Sequence, residues 1–293
     1  MGWGELFALS SAMVWALAVI LLRRSGETLP AFELNLFKNT LGVALMVPTI
    51  LFFNGFELPG YTALELVIVF ASGVIGIAVA DTWYLKALNM MGASRTGVVA
   101  SLFSPFVILL SAVFLGERMV LWQWFGFALI MSGVLLVTWR VRRSSVDSEH
   151  LTKGVMYGVM AMLAMAVGIV MVKDILEARP FLWTMELRLA GGVVGMLVYL
   201  SIRGQWQTAI QNMRQPQPWG LLITASVLSA YVALLLWLAG YRLIDASIAS
   251  ALNETNGAFI VILAWLMLGE ELNFRKVAGV SLTLAGVIIM ISV

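Results

Sequence analysis

The sequence lacks cysteine and has almost no histidine, and both absences restrict its chemistry. None of the 293 residues is cysteine, and His150 is the one histidine. Disulfides and thiolate metal sites are therefore excluded, and a multi-histidine metal centre is impossible. We expect neither a metal nor an organic cofactor.

Charged residues are also scarce. They make up 12% of the chain against 61% hydrophobic residues, and the mean hydropathy is +0.96. Soluble domains carry roughly a quarter charged residues. The composition therefore predicts an all-α polytopic membrane protein with no sizeable soluble domain. The net charge of +2 does not indicate a nucleic-acid partner.

Apolar runs long enough to cross a bilayer follow one another along the chain. Glu5 precedes the first run and Arg23 follows it, the reverse of a signal peptide, so we expect a retained span. We predict ten spans, at residues 6–22, 32–53, 64–85, 95–115, 122–139, 154–172, 181–202, 219–241, 247–268 and 277–292.

The second half of the chain repeats the first. A shift of 150 positions aligns Pro30 with Pro180 and Lys38 with Arg188, and a shift of 153 aligns residues 115–117 with 268–270, Leu-Gly-Glu in both copies. We predict two five-helix repeats, residues 1–139 and 154–293, joined by a polar linker at 140–153. An odd number of spans reverses direction, so the repeats have inverted topology, which places a substrate site at their interface near the bilayer midplane.

The distribution of basic residues predicts the orientation. The connectors on the side of the linker contain twelve basic residues: Arg23, Arg24, Lys86, Arg95, Arg140, Arg142, Arg143, Lys153, Arg203, Arg214, Arg275 and Lys276. The opposite side contains only Arg118, Lys173, Arg179 and Arg242. Cytoplasmic loops carry the excess of Lys and Arg. We therefore expect a cytoplasmic linker and outward-facing termini.

A polar cluster, Asn253-Glu254-Thr255-Asn256, interrupts the ninth span. A carboxylate inside a membrane requires a partner or a water-filled cavity. Glu254 is a candidate for binding substrate or protons; the alternative is a carboxylate that packs helices together, satisfied by a neighbouring base. Asn253 and Asn256 share a helix face and can bind a polar substrate or bridge helices.

Two bases occupy equivalent positions within spans of the two halves. Lys38 and Arg188 can bind a carboxylate or phosphate from two sides of a cavity, or they can pair with Glu254 or Glu186, or extend to the membrane interface. Glu186 lies two residues before Arg188, so the two side chains of one helix point apart and cannot pair directly.

Aromatic and polar residues at span ends complete the candidates. Asp81 and Tyr84 share a helix face and can form a gate; Trp83 and Lys86 fit an interfacial belt better. Trp15, Tyr157, Tyr231 and Trp237 can stack on a substrate, or simply belong to the core. We expect Glu117 and Glu270 to bind backbone or loop groups. The candidate substrate-binding residues are Glu254, Asn253, Asn256, Lys38, Arg188, Trp15, Tyr84, Asp81, Tyr157 and Trp237.

The doubled pattern of a Ser/Ala-rich span, Leu-Gly-Glu and a Gly-rich span resembles the drug/metabolite transporter superfamily, and its ten-span EamA branch most closely. Pro105, Trp15 and Tyr84 with Ala87-Leu88 also fit. Two departures are Ala258 in place of a second Pro105 and the polar cluster itself. The resemblance implies export or uptake of small metabolites such as amino acids or drugs, often with protons.

We therefore expect a secondary transporter, an exporter by the resemblance, in a bacterial inner membrane, working by alternating access through a central cavity. Its partners would be the lipid bilayer, a small-molecule substrate and protons, with no obligate protein partner. No phosphate-binding loop is present to couple ATP. The alternatives are a lipid-headgroup flippase of the same superfamily, a channel or scaffold, and an intramembrane enzyme, for which we find no convincing nucleophile and base.

Overall fold

The computed structural model describes residues 2–55, 59–91, 93–138, 148–259, 262–263 and 274–292. Regular secondary structure in these residues is helical throughout, which confirms the predicted all-α class. The second Leu-Gly-Glu with Glu270, and most of the linker, lie outside the described residues.

The helices are numbered here in chain order. They are α1 (Trp3–Ser25), α2 (Ala31–Asn54), α3 (Ala63–Met91), α4 (Ala93–Ala100), α5 (Phe103–Phe114), α6 (Leu121–Thr138), α7 (Ser148–Val170), α8 (Lys173–Ala178), α9 (Phe181–Arg203), α10 (Trp206–Arg214), α11 (Trp219–Leu243), α12 (Ala246–Asn253) and α13 (Phe274–Ile291).

Six of these helices are long and apolar enough to cross a membrane: α1, α2, α3, α7, α9 and α11. Shorter apolar helices occupy Phe103–Phe114, Leu121–Leu136 and Val277–Ile291. Side chains that expose more than four-fifths of their surface include Phe52 (83%), Leu121 (81%) and Phe274 (89%). Such exposed apolar residues suit contact with lipid. The chain is a membrane protein, and the count of ten spans stays a prediction.

Matched residues begin matched helices in the two halves. Pro30 immediately precedes α2, and its counterpart Pro180 immediately precedes α9. Proline suits a helix start because its missing N–H is one that the first turn would leave unpaired. Helix α7 begins at Ser148, within the segment 140–153 that is expected to link the two halves.

Two spans expected to be continuous are broken near their middle. Residues 95–115 divide into α4 and α5 at Ser101-Leu102, and α12 ends at a turn formed by Glu254-Thr255, 153 positions later. Pro105 explains the first break, because it cannot donate to the carbonyl of Ser101 and its ring crowds that carbonyl. At the second break, the amides of Glu254 and Thr255 each bond a carbonyl three residues back rather than four.

Two long helices contain π-helical turns at equivalent positions. Val74–Val79 interrupts α3, and Val227–Ala233 interrupts α11. The starts of the two turns are 153 residues apart, the same shift that relates the repeats. A π turn inserts an extra residue and often occurs at a functional site.

Helices from the two halves pack against each other in opposite directions. Added Cβ atoms on Gly126 and Gly133 of α6 would lie 2.9 Å and 2.5 Å from the carbonyl oxygens of Gly286 and Gly279 of α13. Similarly, Ser104 near the start of α5 contacts Glu254 just beyond α12, whereas Ser111 farther along α5 contacts Ser247 near the α12 start. Both pairs are therefore antiparallel.

Candidate functional site

A cavity of about 140 Å³ lies among helices of both halves. Its walls come from α1, α2, α3, α4, α5, α7, α9, α11, α12 and the turn after α12. Nine of the ten candidate residues line it, namely Glu254, Asn253, Asn256, Lys38, Arg188, Trp15, Tyr84, Asp81 and Trp237. Residues spread over the sequence thus meet at one place.

Lys38 forms a buried ion pair with Asp81. The Lys38 Nζ lies 2.5 Å from Asp81 Oδ2, and Lys38 is 3% exposed. The partner is thus neither Glu254 nor Glu186, the acids considered from the sequence. A buried pair satisfies both charges, although desolvation offsets much of the attraction.

Two asparagines missed in the sequence support this pair. Asn39 donates to the Asn35 Oδ1 at 2.8 Å and lies within 3.4 Å of the Lys38 ammonium. Asn35 in turn donates to the Ile77 carbonyl at 2.8 Å, inside the π turn of α3, and to Thr82 at 3.0 Å. Two asparagines four residues apart in an apolar span were the available signal, because such residues share one helix face. The network links α2 to α3 beside the cavity.

Arg188 is buried, at 2% exposure, and has no ion-pair partner among the described residues. Its Nε donates to Ser72 Oγ at 2.8 Å, and Ser72 in turn donates to the Gly168 carbonyl. The guanidinium carbon lies 5.6 Å from the centre of the Trp237 ring, a cation–π distance. The Nη1 nitrogen is buried without a hydrogen-bond partner.

Glu254 joins the ends of two broken helices. Its Oε1 lies 2.8 Å from Ser104 Oγ and 3.4 Å from the Ser104 amide, at the beginning of α5. Ser104 Oγ also lies 2.8 Å from the Ser250 carbonyl in α12. A carboxylate is favoured at a helix N-terminus, where unpaired amides carry partial positive charge.

The two asparagines beside Glu254 lie at the cavity wall. Asn253 donates to the Ala249 carbonyl at 2.8 Å, one turn earlier in its own helix. Asn253 and Asn256 both line the cavity. The Asn253 amide nitrogen thus bonds its own backbone, as Asn side chains in helices often do.

Aromatic rings form pairs along the cavity. Trp15 and Tyr84 have centroids 6.2 Å apart, as do Phe103 and Trp237. Tyr157 differs from the other candidates, because it is absent from the described lining and the Lys86 ammonium lies 5.4 Å above its ring. Tyr231, a further aromatic considered from the sequence, shares a hydrogen bond of 2.6 Å with Thr49.

Glu186 is buried, and its Oε2 has no hydrogen-bond partner. The bond from Arg188 goes to Ser72 and not to Glu186, as the helical spacing of the two residues predicted. Glu186 is not among the described lining residues, so it lies apart from the candidate site.

Glu117 binds the beginning of α12, as expected from the sequence. Its two oxygens accept hydrogen bonds from the Ala246 and Ser247 amides at 2.8 and 2.9 Å, and from Ser247 Oγ at 2.6 Å. Nearby, between α11 and α12, burial and the charge of Glu117 raise the pKa of Asp245. The matching acid of the second repeat, Glu270, lies outside the described residues.

One end of the bundle is tied by an ion pair between α3 and the residue preceding Pro180. Arg179 Nε and Nη2 donate to the two oxygens of Glu65 at 2.7 and 2.8 Å. Tyr61 Oη lies 2.8 Å from Thr184 Oγ1 in the first turn of α9. These contacts hold the start of α3 to the start of α9.

Comparison with known proteins identifies the family. The model of the EamA-like transporter family matches residues 2–139 and again residues 152–292. An uncharacterized transporter of Archaeoglobus fulgidus is 22% identical over 289 residues. The alignment covers 98% of this chain and 97% of that transporter. An uncharacterized transporter in the cobO 3'region of Sinorhizobium sp. is 34% identical over 83 residues, or 28% of this chain and 55% of its own.

The fold recurs in a solved structure. A crystal structure of another protein superposes on this chain with a TM-score of 0.76 at 15% sequence identity. The superposition covers 98% of this chain and 95% of the chain in that structure. At this identity the likeness concerns the fold alone. The match of both halves to one family model confirms the predicted superfamily. The chain belongs to the EamA-like transporter family.

Proposed function

We propose that the protein is a secondary transporter that moves a small polar or amphipathic metabolite through the cavity by alternating access. The observation that carries this proposal is the cavity itself, in which Lys38, Arg188 and Glu254 meet between the two halves. Ionisable residues inside a membrane almost always face the bundle interior or a water-filled cavity, and they often mark substrate or ion pathways. Direction is export, into the medium across a bacterial inner membrane, by family resemblance.

The proposed architecture is ten spans in two inverted five-helix halves, residues 1–139 and 154–293. The antiparallel contacts of α6 with α13 and of α5 with α12 support it, since inverted repeats place matched helices in opposite directions. The matched π turns and matched breaks support it as well. Broken helices at a repeat interface commonly form transport sites.

Glu254 is the proposed proton-binding residue. The Ser104 hydroxyl has one hydrogen and lies 2.8 Å from two acceptors, the Ser250 carbonyl and Glu254 Oε1. A protonated Glu254 carboxyl can donate to Ser104 while Ser104 donates to Ser250, whereas an ionised Glu254 and the Ser250 carbonyl have to share the single Ser104 hydrogen. Proton loss would weaken the bonding between α5 and α12, which couples protonation to the packing of the broken helices.

Purified protein in liposomes provides the test. We expect saturable uptake of at least one amino acid from a panel, with a rate that changes when a proton gradient is imposed. Substitution Glu254→Gln keeps the side-chain shape but cannot ionise, so the pH dependence of uptake should disappear. Lys38, Asp81, Tyr84 and Arg188 also line the cavity and are unchanged in this variant.

The exposed Glu27, in the connector after α1, provides a matched control. Glu27→Gln should keep the wild-type pH profile. An unchanged profile in Glu254→Gln would remove Glu254 from proton coupling. Movement of labelled lipid headgroups, without uptake of soluble metabolites, would favour a flippase instead.

A further inference from the structure

The cavity contains a buried cation, Arg188, that the charge of Asp81 reaches but that no carboxylate of the described residues contacts directly. Of the two matched bases, Lys38 has Asp81 at 2.5 Å. Arg188 has a hydroxyl and an aromatic ring as neighbours, and no acid within ion-pair distance among the described residues. A guanidinium remains charged even when buried, so its environment has to supply an anion.

The repeat shows why the second counterion is missing. The shift of 153 that matches the two π turns places Leu234 at the position equivalent to Asp81. Leu234 lines the same cavity. Each half thus retains its base, whereas only the first half has the acid.

The surroundings of Arg188 hold one edge of the guanidinium fixed and leave another edge unpaired. Ser72 fixes Nε, while Nη1 has no partner. Gly76 gives the guanidinium room, because a Cβ there would lie 2.7 Å from Nη2. A rigid guanidinium edge is well suited to a carboxylate.

We propose that Arg188 binds a single carboxylate of the transported molecule, with the rest of that molecule packed against the apolar and aromatic wall. The inference rests on the proposed function for its claim that the ligand is the cargo. A phosphate dianion would need a second free base, and Lys38 is occupied by Asp81. Phe103, Met162, Met165 and Trp237 provide the apolar wall.

The proposal is tested by comparing how acids and an amide of similar shape bind to the purified protein in detergent. L-phenylalanine, L-phenylalaninamide, 3-phenylpropionate and inorganic phosphate are compared by the shift in melting temperature. We expect half-maximal stabilisation by the two acids at concentrations at least ~10-fold lower than for the amide, because an unpaired buried guanidinium disfavours a ligand that has no carboxylate. Phosphate should give no shift.

Variants assign the effect to Arg188. Arg188→Gln, which can still donate to Ser72, should weaken acid binding at least ~30-fold and abolish the preference over the amide. Leu234→Asp should weaken acid binding by supplying an internal counterion, whereas Leu234→Asn should not. Arg203→Gln changes an exposed arginine of the same helix and should behave as wild type.

Contrary outcomes are distinct for the two proposals. Equal binding of acid and amide, acid binding unchanged in Arg188→Gln, stabilisation by phosphate alone, or no acid binding would each overturn the carboxylate site. Acid binding that depends on Arg188, combined with no uptake of any probe into liposomes, would support the site and overturn transport. Uptake without preference for acids would support transport and overturn the site.

Discussion

At the scale of single residues, the two buried bases of the cavity are satisfied differently, since Lys38 contacts Asp81 whereas Arg188 contacts the Ser72 hydroxyl. Lys38, Asp81, Arg188 and Glu254 were candidates because each is costly in a membrane without a partner. Ser72 was not, because serine in an apolar helix usually bonds its own backbone. The sequence therefore predicted where the charges would gather, but not which residue each of them contacts.

The ion pair between Lys38 and Asp81 leads to a prediction about stability. Asp81→Asn leaves Lys38 buried without a counterion and should lower the free energy of unfolding by about 3–5 kcal/mol. The double variant Lys38→Met with Asp81→Leu removes both charges and should recover most of that loss. Unfolding midpoints in detergent measure both. A double variant as unstable as the single one would show that the pair is not the cause.

At the scale of helices, the sequence predicted the bounds of most described helices to within a few residues but missed how some are interrupted. Pro105 was a readable signal for the break between α4 and α5. The break after Asn253 has no proline, since Ala258 stands at the equivalent position. The π turns were not predictable, because Val74–Val79 and Val227–Ala233 are ordinary apolar sequence whose backbone is set by tertiary packing.

The cap on α12 can be tested by a single substitution. Glu117→Gln removes the negative charge and leaves one acceptor oxygen for the Ala246 and Ser247 donors. We expect the free energy of unfolding to fall by about 1–2 kcal/mol. Glu5 forms a similar bond to the Gly2 amide at the exposed start of α1, so Glu5→Gln is the control. Equal losses would mean that burial of the cap does not matter.

The close approach of α6 and α13 depends on the absence of side chains. A Cβ on Gly133 would lie 2.4 Å from Thr283 Oγ1 and 2.5 Å from the Gly279 carbonyl oxygen, so Gly133→Ala should destabilise the protein by about 1–3 kcal/mol. Gly220 in α11 has open space at the same atom, and Gly220→Ala should have little effect. Thermal unfolding of the two variants, compared with wild type, measures the difference. Similar stabilities would contradict the tight contact.

At the scale of the whole molecule, the composition was sufficient to predict the class of protein, and the internal repeat was sufficient to predict the family. Orientation in the membrane rests on loop charge alone, with basic residues such as Arg23 and Arg203 on the side expected to be cytoplasmic. The site formed between helices distant in sequence, such as α2 and α9, could be anticipated only through the matched positions of Lys38 and Arg188.

The absence of cysteine makes orientation simple to measure, because every cysteine introduced is the single one present. We expect Gly2→Cys and Ser292→Cys to react with an impermeant maleimide added to intact cells. His150→Cys, near the start of α7, should react only after the cells are opened. The reverse pattern would invert the predicted topology, and labelling of Gly2 and Ser292 from opposite sides would contradict an even number of spans.

The packing of α6 on α13 has the reciprocal form of a two-fold interface. Gly126 meets Gly286, the counterpart of Gly133, and Gly133 meets Gly279, the counterpart of Gly126. Contacts of this kind are those of a homodimer whose subunits share one patch. A half-length ancestor could therefore have assembled with an upside-down copy of itself before the two were fused, and the present chain, cut between α6 and α7, should still reassemble from two separately synthesised fragments.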